Sequence, residues 1–289
     1  ANVKVAALAV GVTHDARDEA RGSAAKSLFK VFDLDGDGKN DIVVEECGCC
    51  GVNSGKTGFV YSFAAGFQAP KLLWTMPFVA CGGGRGLSLV DVDGNGSLEV
   101  LLAGFDHFEL FDGKTGNQLG QTPFISTWNS VNACKTQNID GKPGDEIVCV
   151  LNDSNAPATN QRRVSVFRYD TVGKALGVVW SNVIAPDAGG DVRFNNPVVD
   201  LDGDGLYEVI VSGYDPNGGW KTHIFDALTG ADLVPTIVGH ALAGSAEMIT
   251  KGQRVLLTIA GSSVIGWTFV RMPMPTLTQK WTLQDRAVP

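Results

Sequence analysis

The stretch Asp33-Leu-Asp-Gly-Asp-Gly-Lys-Asn-Asp41 is the first of four copies of one pattern in this sequence. The later copies are Asp91-Val-Asp-Gly-Asn-Gly-Ser-Leu-Glu99, Asn138-Ile-Asp-Gly-Lys-Pro-Gly-Asp-Glu146 and Asp200-Leu-Asp-Gly-Asp-Gly-Leu-Tyr-Glu208. We call them the first, second, third and fourth loops and number their positions from 1 to 9. In three copies, side-chain oxygens occupy positions 1, 3, 5 and 9, and glycines at positions 4 and 6 permit a tight turn. A hard cation such as calcium requires an oxygen set of this kind.

The pattern differs from the EF-hand, which needs a bidentate Glu at position 12. This chain has Val44, Leu102 and Val211 at that position. Each loop is followed by an aliphatic run, and such runs are typical of buried strands. Each loop is therefore predicted to connect two strands of a hairpin.

The spacing of the loops predicts a repeat fold. Their first residues are 58, 47 and 62 residues apart in a chain of 289 residues, which suits four-stranded propeller blades. The 36 glycines and many short apolar runs argue against helix-rich classes, and the one helical candidate is 15–27. We expect an all-β fold, a β-propeller of five four-stranded blades in a single domain over residues 1–289. The expected blades are 28–80, 84–125, 128–183, 192–240 and 244–289, the last without an acidic loop.

Acidic loops of this form, between the first two strands of a blade, resemble the FG-GAP or VCBS repeats of integrin-α-type β-propellers. The stretches Asp112-Gly-Lys-Thr-Gly116 and Asp226-Ala-Leu-Thr-Gly230 are similar to third-to-fourth strand turns of many propellers. Many members of that family have seven blades, so five units form either a small closed ring or part of a larger one. We favour closure, in which a first strand at Val3 to Val10 pairs with the last blade.

The resemblance implies about three calcium sites. The side-chain ligands would be Asp33, Asp35, Asp37 and Asp41 in the first loop, Asp91, Asp93, Asn95 and Glu99 in the second, and Asp200, Asp202, Asp204 and Glu208 in the fourth. The third loop has Lys142 at position 5, so we expect it to hold no ion. The Lys142 ammonium would instead balance the negative charge of the loop. The alternative is that all four loops are empty turns, but converging carboxylates without a cation would repel one another.

The net charge agrees with bound cations and disfavours other partners. The chain carries a formal charge of −8 at pH 7, much of it in the loops, and has no basic stripe for nucleic acid. Its longest apolar stretch, Val3 to Val12, is too short to span a membrane and contains Lys4. Ala1 would suit the start of a mature chain after signal cleavage.

The six cysteines indicate an oxidising compartment. Cys134 lies four residues before the third loop and Cys149 three residues after it, so the two come nearly opposite each other on paired strands. We predict a disulfide between them. The remaining cysteines form further bridges of open connectivity or, alternatively, a metal site; they are Cys47, Cys49, Cys50 and Cys81.

The tryptophans fall into two groups. Trp74, Trp180 and Trp281 recur at equivalent positions in final strands, which favours packing between blades. Trp128 and Trp220 fall outside that pattern. Trp220 follows a Gly-rich segment and is predicted to lie in a loop, where it could contact a ligand or be an ordinary half-buried aromatic.

No catalytic residue is predicted, because the four histidines are isolated and no nucleophile motif accompanies them. We expect a secreted or cell-surface propeller that binds a protein or a glycan without catalysis. One alternative is a polysaccharide-active, lyase-like enzyme. Another is a structural subunit of an extracellular assembly.

Overall fold

The computed structural model describes ten ranges of the chain and, within them, twenty-one β-strands and no helix. The ranges are 28–45, 56–66, 68–78, 86–103, 108–121, 131–153, 161–186, 192–194, 197–247 and 254–284. Several expectations lie outside the described residues, namely the helix at 15–27, the closing strand at 3–10, Trp128, and cysteines 47, 49, 50 and 81.

The strands form five antiparallel sheets in chain order. The first contains β1 (Leu28–Phe32), β2 (Asp41–Glu45), β3 (Lys56–Ser62) and β4 (Lys71–Phe78). The second contains β5 (Gly86–Val90), β6 (Glu99–Ala103), β7 (Phe108–Asp112) and β8 (Gln118–Gln121). The third contains β9 (Val131–Gln137), β10 (Glu146–Asp153), β11 (Gln161–Asp170) and β12 (Ala175–Ala185).

The fourth sheet contains β13 (Val192–Arg193), β14 (Val198–Val199), β15 (Glu208–Asp215), β16 (Gly219–Asp226) and β17 (Ile237–Val238). Because β13 and β14 both pair with β15, they are two parts of one interrupted first strand. The fifth contains β18 (Ala241–Glu247), β19 (Arg254–Ala260), β20 (Ser263–Val270) and β21 (Thr276–Gln284). It begins at Ala241, three residues before the expected boundary. The expectation of five four-stranded sheets is confirmed.

The chain divides into two compact units. One comprises 1–124 with 171–175 and holds the first two sheets; the other comprises 125–170 with 176–289 and holds the remaining three. The first unit has a core of alternating strand residues that includes Val43, Val60 and Val100, all fully buried. Such alternation buries one face of each strand against the neighbouring sheet.

Two of the three recurring tryptophans pack against turns of the next sheet. The Trp74 indole N–H donates to the carbonyl of Gly113 at 2.9 Å, and that of Trp180 donates to Ala227 at 2.8 Å. In the second pair, the ring lies against Gly230, whose φ is +73°. Packing between blades is therefore confirmed for Trp74 and Trp180. Trp281 lies across Gly266 within its own sheet.

We predict that Gly230→Ala destabilises the protein more than Gly239→Ala. Both glycines have positive φ, which costs an L-residue about 1 kcal/mol or more. Only at Gly230 would the new Cβ also approach the Trp180 ring, to 2.6 Å, while nothing lies within 4 Å at Gly239. The excess loss from overpacking should be about 1 to 3 kcal/mol in urea unfolding. Equal losses for the two variants would contradict the tryptophan contact.

Candidate metal sites in the acidic loops

All four loops share one buried hydrogen bond. The carboxylate at position 9 opens the second strand of its sheet and accepts the backbone N–H of position 2, whose apolar side chain is buried in the core. The N···O distance is 2.8 Å in every case, from Leu34 to Asp41, Val92 to Glu99, Ile139 to Glu146 and Leu201 to Glu208. The loop is thus held at both ends, by apolar burial and by a carboxylate with almost no exposure to water.

The carboxylate at position 1 fixes the tip of the loop. Asp33 accepts backbone N–H groups from Gly36 at 2.9 Å and Gly38 at 2.9 Å, and both glycines have positive φ. Asp200 does the same in the fourth loop, with Gly203 at 2.7 Å and Gly205 at 3.0 Å. These bonds keep the carboxylates turned toward the inside of the loop.

Three loops bring three carboxylate oxygens within 4.8 Å of one another. The groups are Asp33, Asp35 and Asp37; Asp91, Asp93 and Glu99; and Asp200, Asp202 and Asp204. Among the described residues, the third loop has no such group. The structure therefore places most of the predicted ligands together in the three loops where they were expected. Asn95 keeps the position-5 arrangement of the other two loops, since its side-chain oxygen accepts the Ser97 N–H at 2.6 Å. Asp37 and Asp204 accept the N–H two residues further on in the same way, each at 2.8 Å.

In the second loop the negative charges reinforce one another. Burial raises the pKa of Glu99 from its ordinary value of 4.5 to about 7, and the charges of Asp93, Asp91 and Asp112 add to that rise. Asp112 lies directly opposite Glu99 on the neighbouring strand. Within the described part of the chain, no Lys or Arg side chain pairs with Glu99. The second loop therefore concentrates negative charge that no described basic side chain neutralises, and a bound cation would stabilise it.

The first loop has a related feature. Asp41 is fully buried, and its Oδ1 atom has no hydrogen-bond partner. Burial also raises the pKa of Asp41 above its ordinary value. Hydrogen bonds from the Leu34 N–H and the Ser62 side chain oppose that rise. A buried carboxylate oxygen without a partner, next to three clustered carboxylates, would suit an oxygen-bound cation.

The third loop supplies its own positive charge. Lys142 Nζ lies 3.1 Å from Asp140 Oδ2, as expected, but its side chain is 74% exposed. A closer partner is Arg168, which donates to Asp140 at 2.7 Å and to Glu146 at 2.8 Å. Burial alone would raise the pKa of Asp140, but the hydrogen bonds from Lys142 and the charge of Arg168 lower it below its ordinary value.

Sequence reasoning missed Arg168, although the strand register offers a signal. The residue facing position 9 across the hairpin is Ser62 in the first sheet, Asp112 in the second and Asp226 in the fourth. In the third sheet, Ile147 faces Phe167, so the same place is held by Arg168. A cation there neutralises the loop from its own sheet.

The fourth loop receives a cation from the fifth sheet, which sequence reasoning also missed. Arg271 donates to Glu208 Oε1 from Nη2 at 2.6 Å and from Nε at 3.2 Å. It also donates from Nη1 to Asp226 at 2.8 Å. Burial raises the pKa of Glu208 to about 7, and Arg271 opposes that rise. No nearby sequence signal marks Arg271, because it lies 63 residues from Glu208.

The other predicted residues have the following places. Cys134 and Cys149 face each other on β9 and β10 and form a disulfide. The placement of Trp220 in a loop was wrong, because it is the second residue of strand β16. There it contacts Tyr214 edge-on, with ring centroids 5.5 Å apart, and Arg193 lies over its ring at 5.2 Å.

Comparison with solved structures identifies the fold. The chain is similar to the biofilm matrix protein Bap1 of V. cholerae, with 18% identity and a TM-score of 0.50 over 90% of this chain and 39% of that one. It is also similar to a protein from Lactobacillus plantarum, with 14% identity and a TM-score of 0.44 over 83% of this chain and 67% of that one. A third similar structure is the WD40 domain of SCAP from fission yeast, with 11% identity and a TM-score of 0.45 over 90% of this chain and 56% of that one. The chain thus spans well under half the length of Bap1. No protein-family model and no curated protein matches it.

The five four-stranded sheets and the likeness to Bap1 place the chain in one class of protein. It is an all-β protein of the β-propeller class, with five four-stranded blades. Within the described ranges, no helix is long and apolar enough to cross a membrane.

We predict that Glu99→Gln stabilises the protein in chelator at pH 8 but not at pH 5. A raised folded pKa means that the folded state binds more protons than the unfolded state between about pH 4.5 and pH 7, so Glu99 costs stability as the pH rises through that window. The variant should therefore gain about 1 to 3 kcal/mol at pH 8 relative to pH 5 in urea unfolding. If the difference in unfolding free energy between variant and wild type were the same at pH 5 and pH 8, the raised pKa of Glu99 would be contradicted.

We predict that Arg168→Met lowers stability equally in calcium and in chelator, by about 1 to 3 kcal/mol, because it removes the cation of the buried Glu146 and the closer of the two cations that pair with Asp140. Lys142→Met, which removes an exposed partner of the same loop, should cost less than about 1 kcal/mol. Thermal melts in both solutions measure the two losses. A larger loss for Lys142→Met, or a loss for Arg168→Met in calcium alone, would refute this account of the third loop.

Proposed function

We propose that this chain is a calcium-stabilised propeller of the FG-GAP or VCBS type. We further propose that it acts outside the cell or at its surface as a non-catalytic binding or adhesion module for a protein or a glycan. The observation that carries the calcium part is the second loop. There Asp91, Asp93 and Glu99 bring carboxylate oxygens within 4.8 Å of one another, Asp112 adds its charge, and no described side chain neutralises the buried Glu99.

Calcium suits these loops better than other cations. The ligands are carboxylate and carbonyl oxygens, with no thiolate or imidazole, and calcium accepts six to eight oxygens in flexible geometry. In the first loop the ligands would be Asp33, Asp35, Asp37 and Asp41, with the carbonyl of residue 39. The second loop would use Asp91, Asp93, Asn95 and Glu99. The fourth would use Asp200, Asp202, Asp204 and Glu208.

The ion would have a structural role. Extracellular modules bind calcium with dissociation constants of about 0.1 to 1 mM, so at about 1 mM calcium each site contributes roughly 0.4 to 1.4 kcal/mol. Each loop joins the first two strands of a sheet, so an ion there stiffens the edge of the sheet from which the loop projects. A rigid edge is suited to presenting a binding surface.

The location outside the cell draws support from two observations. One is the Cys134–Cys149 disulfide, since such bonds persist in oxidising compartments. The other is the fold shared with Bap1, which is itself a biofilm matrix protein. The same likeness favours a second candidate function, a structural subunit of an extracellular assembly. The nine-residue strand β21, exposed along most of its length, offers an outer edge to a neighbouring chain.

We predict that Asp93→Asn lowers the melting temperature in 1 mM calcium and leaves it nearly unchanged in chelator. Losing about 1 kcal/mol corresponds to about 2 to 4 °C for a protein of this size. The matched control is Asp140→Asn, at the same position of the third loop, which should lower the melting temperature equally in both solutions. Equal loss for Asp93→Asn in the two solutions would show that the second loop does not depend on calcium.

The binding role is tested separately. The purified chain would be applied to a glycan array and to immobilised extracellular-matrix proteins, in calcium and in chelator. Retention of a defined glycan or protein, weakened by chelator, supports the module. Release of unsaturated sugar products would instead establish a lyase, and concentration-dependent oligomers without any retained partner would establish the assembly subunit.

A further inference from the structure

The fourth loop differs from the second in the presence of Arg271 and in having Asp204 at position 5, where the second loop has Asn95. This residue directly follows β20, in the turn that leads to β21, and its side chain is 9% exposed. The two loops are otherwise closely matched, because each has Asp at positions 1 and 3, Glu at position 9 and an Asp facing that Glu across the hairpin.

Arg271 contacts the side chains at three of the four ligand positions. Its backbone N–H donates to Asp202 at 2.6 Å, and its guanidinium donates to Glu208 and lies 3.9 Å from Asp204. It donates further to Asp226 and to the Tyr207 carbonyl. Several directional bonds on one buried guanidinium fix its position within the loop's negative field.

These contacts conflict with a bound ion. One oxygen of Glu208 already accepts the Leu201 N–H, and the other accepts Arg271, so both oxygens of the position-9 ligand are engaged. A calcium ion that reached Glu208 would also stand close to a fixed positive charge, which repels it in a poorly hydrated site. Arg271 and calcium therefore compete for the same oxygens.

We propose that Arg271 and a calcium ion are alternative occupants of the fourth loop, so that calcium uptake there unlatches the 271–275 turn of the fifth sheet from the fourth. The inference rests on the proposed calcium binding and adds a competitor to it. The fourth loop is then the weakest of the three calcium sites and the one whose filling changes the contact between two neighbouring sheets. We call the contacts of Arg271 with the fourth loop the latch. In low calcium these contacts are formed and hold the turn against the fourth sheet. By linkage, the Arg271 contacts weaken calcium binding by the same factor as bound calcium weakens those contacts.

The latch is tested by calcium titration of Arg271→Gln in a calorimeter. The matched control is Lys280→Gln on the exposed strand β21, which removes the same charge away from the loop. We expect wild type and Lys280→Gln to show two tighter sites and one weaker site. In Arg271→Gln the weakest site should bind calcium at least tenfold more tightly. Identical isotherms for the two variants, with the other sites filled, overturn the latch alone, whereas absence of calcium binding in every protein overturns the proposed function as well.

A second measurement uses the wild-type fold and does not depend on the stability of the Arg271 variant. Met272 and Met274 lie in the turn and are 70% and 74% exposed, so their labelled methyl groups report its state by NMR. Both signals should shift in step with filling of the weakest site, and Asp204→Asn should abolish that shift. Methyl signals that stay fixed while that site fills would overturn the proposal.

Discussion

The buried carboxylate at position 9 is the constraint on which the acidic loops depend. It accepts the N–H of position 2 at 2.8 Å in all four loops, and it sits where water hardly reaches. The bond gives each loop the same shape, because it ties the loop's first turn to the strand that leaves it. The same burial places a negative charge in a medium that tolerates it poorly, so each loop needs a proton or a cation.

The chain meets that need differently in each sheet. In the third, Arg168 neutralises Glu146 from the strand alongside, while in the fourth, Arg271 reaches Glu208 from the following sheet. In the second, Asp112 faces Glu99 and adds to its charge. The residue that faces position 9 thus distinguishes the third loop, where it is Arg168, from the second, where it is Asp112. In the fourth sheet that residue is Asp226, and the cation comes from Arg271 of the following sheet instead. The proposed dependence on calcium follows from this difference more than from the loop pattern itself.

Packing between neighbouring sheets keeps these loops in register. Trp74 and Trp180 each donate to a carbonyl in the turn between the third and fourth strands of the next sheet. Those turns begin at Asp112 and Asp226, the residues that face the position-9 carboxylates. The aromatic contact and the electrostatics of a loop therefore share one turn, and a change in either is expected to affect the other. This coupling is local within each compact unit.

The sequence by itself determined the features that recur at short range: the four hairpin loops, their ligand types, the strand order within each sheet, and the facing cysteines 134 and 149. Periodicity and turn chemistry leave a direct trace along the chain, so these could be predicted. Only the tertiary structure decided which loops have a resident arginine, why Trp220 lies in a strand, and that the first strand of the fourth sheet is interrupted. Arg168 acts through cross-strand register, and Arg271 meets Glu208 across 63 residues of chain. Contacts between such distant residues depend on how strands and sheets align. Periodic patterns along a single sequence reflect only local structure, so they do not predict these contacts.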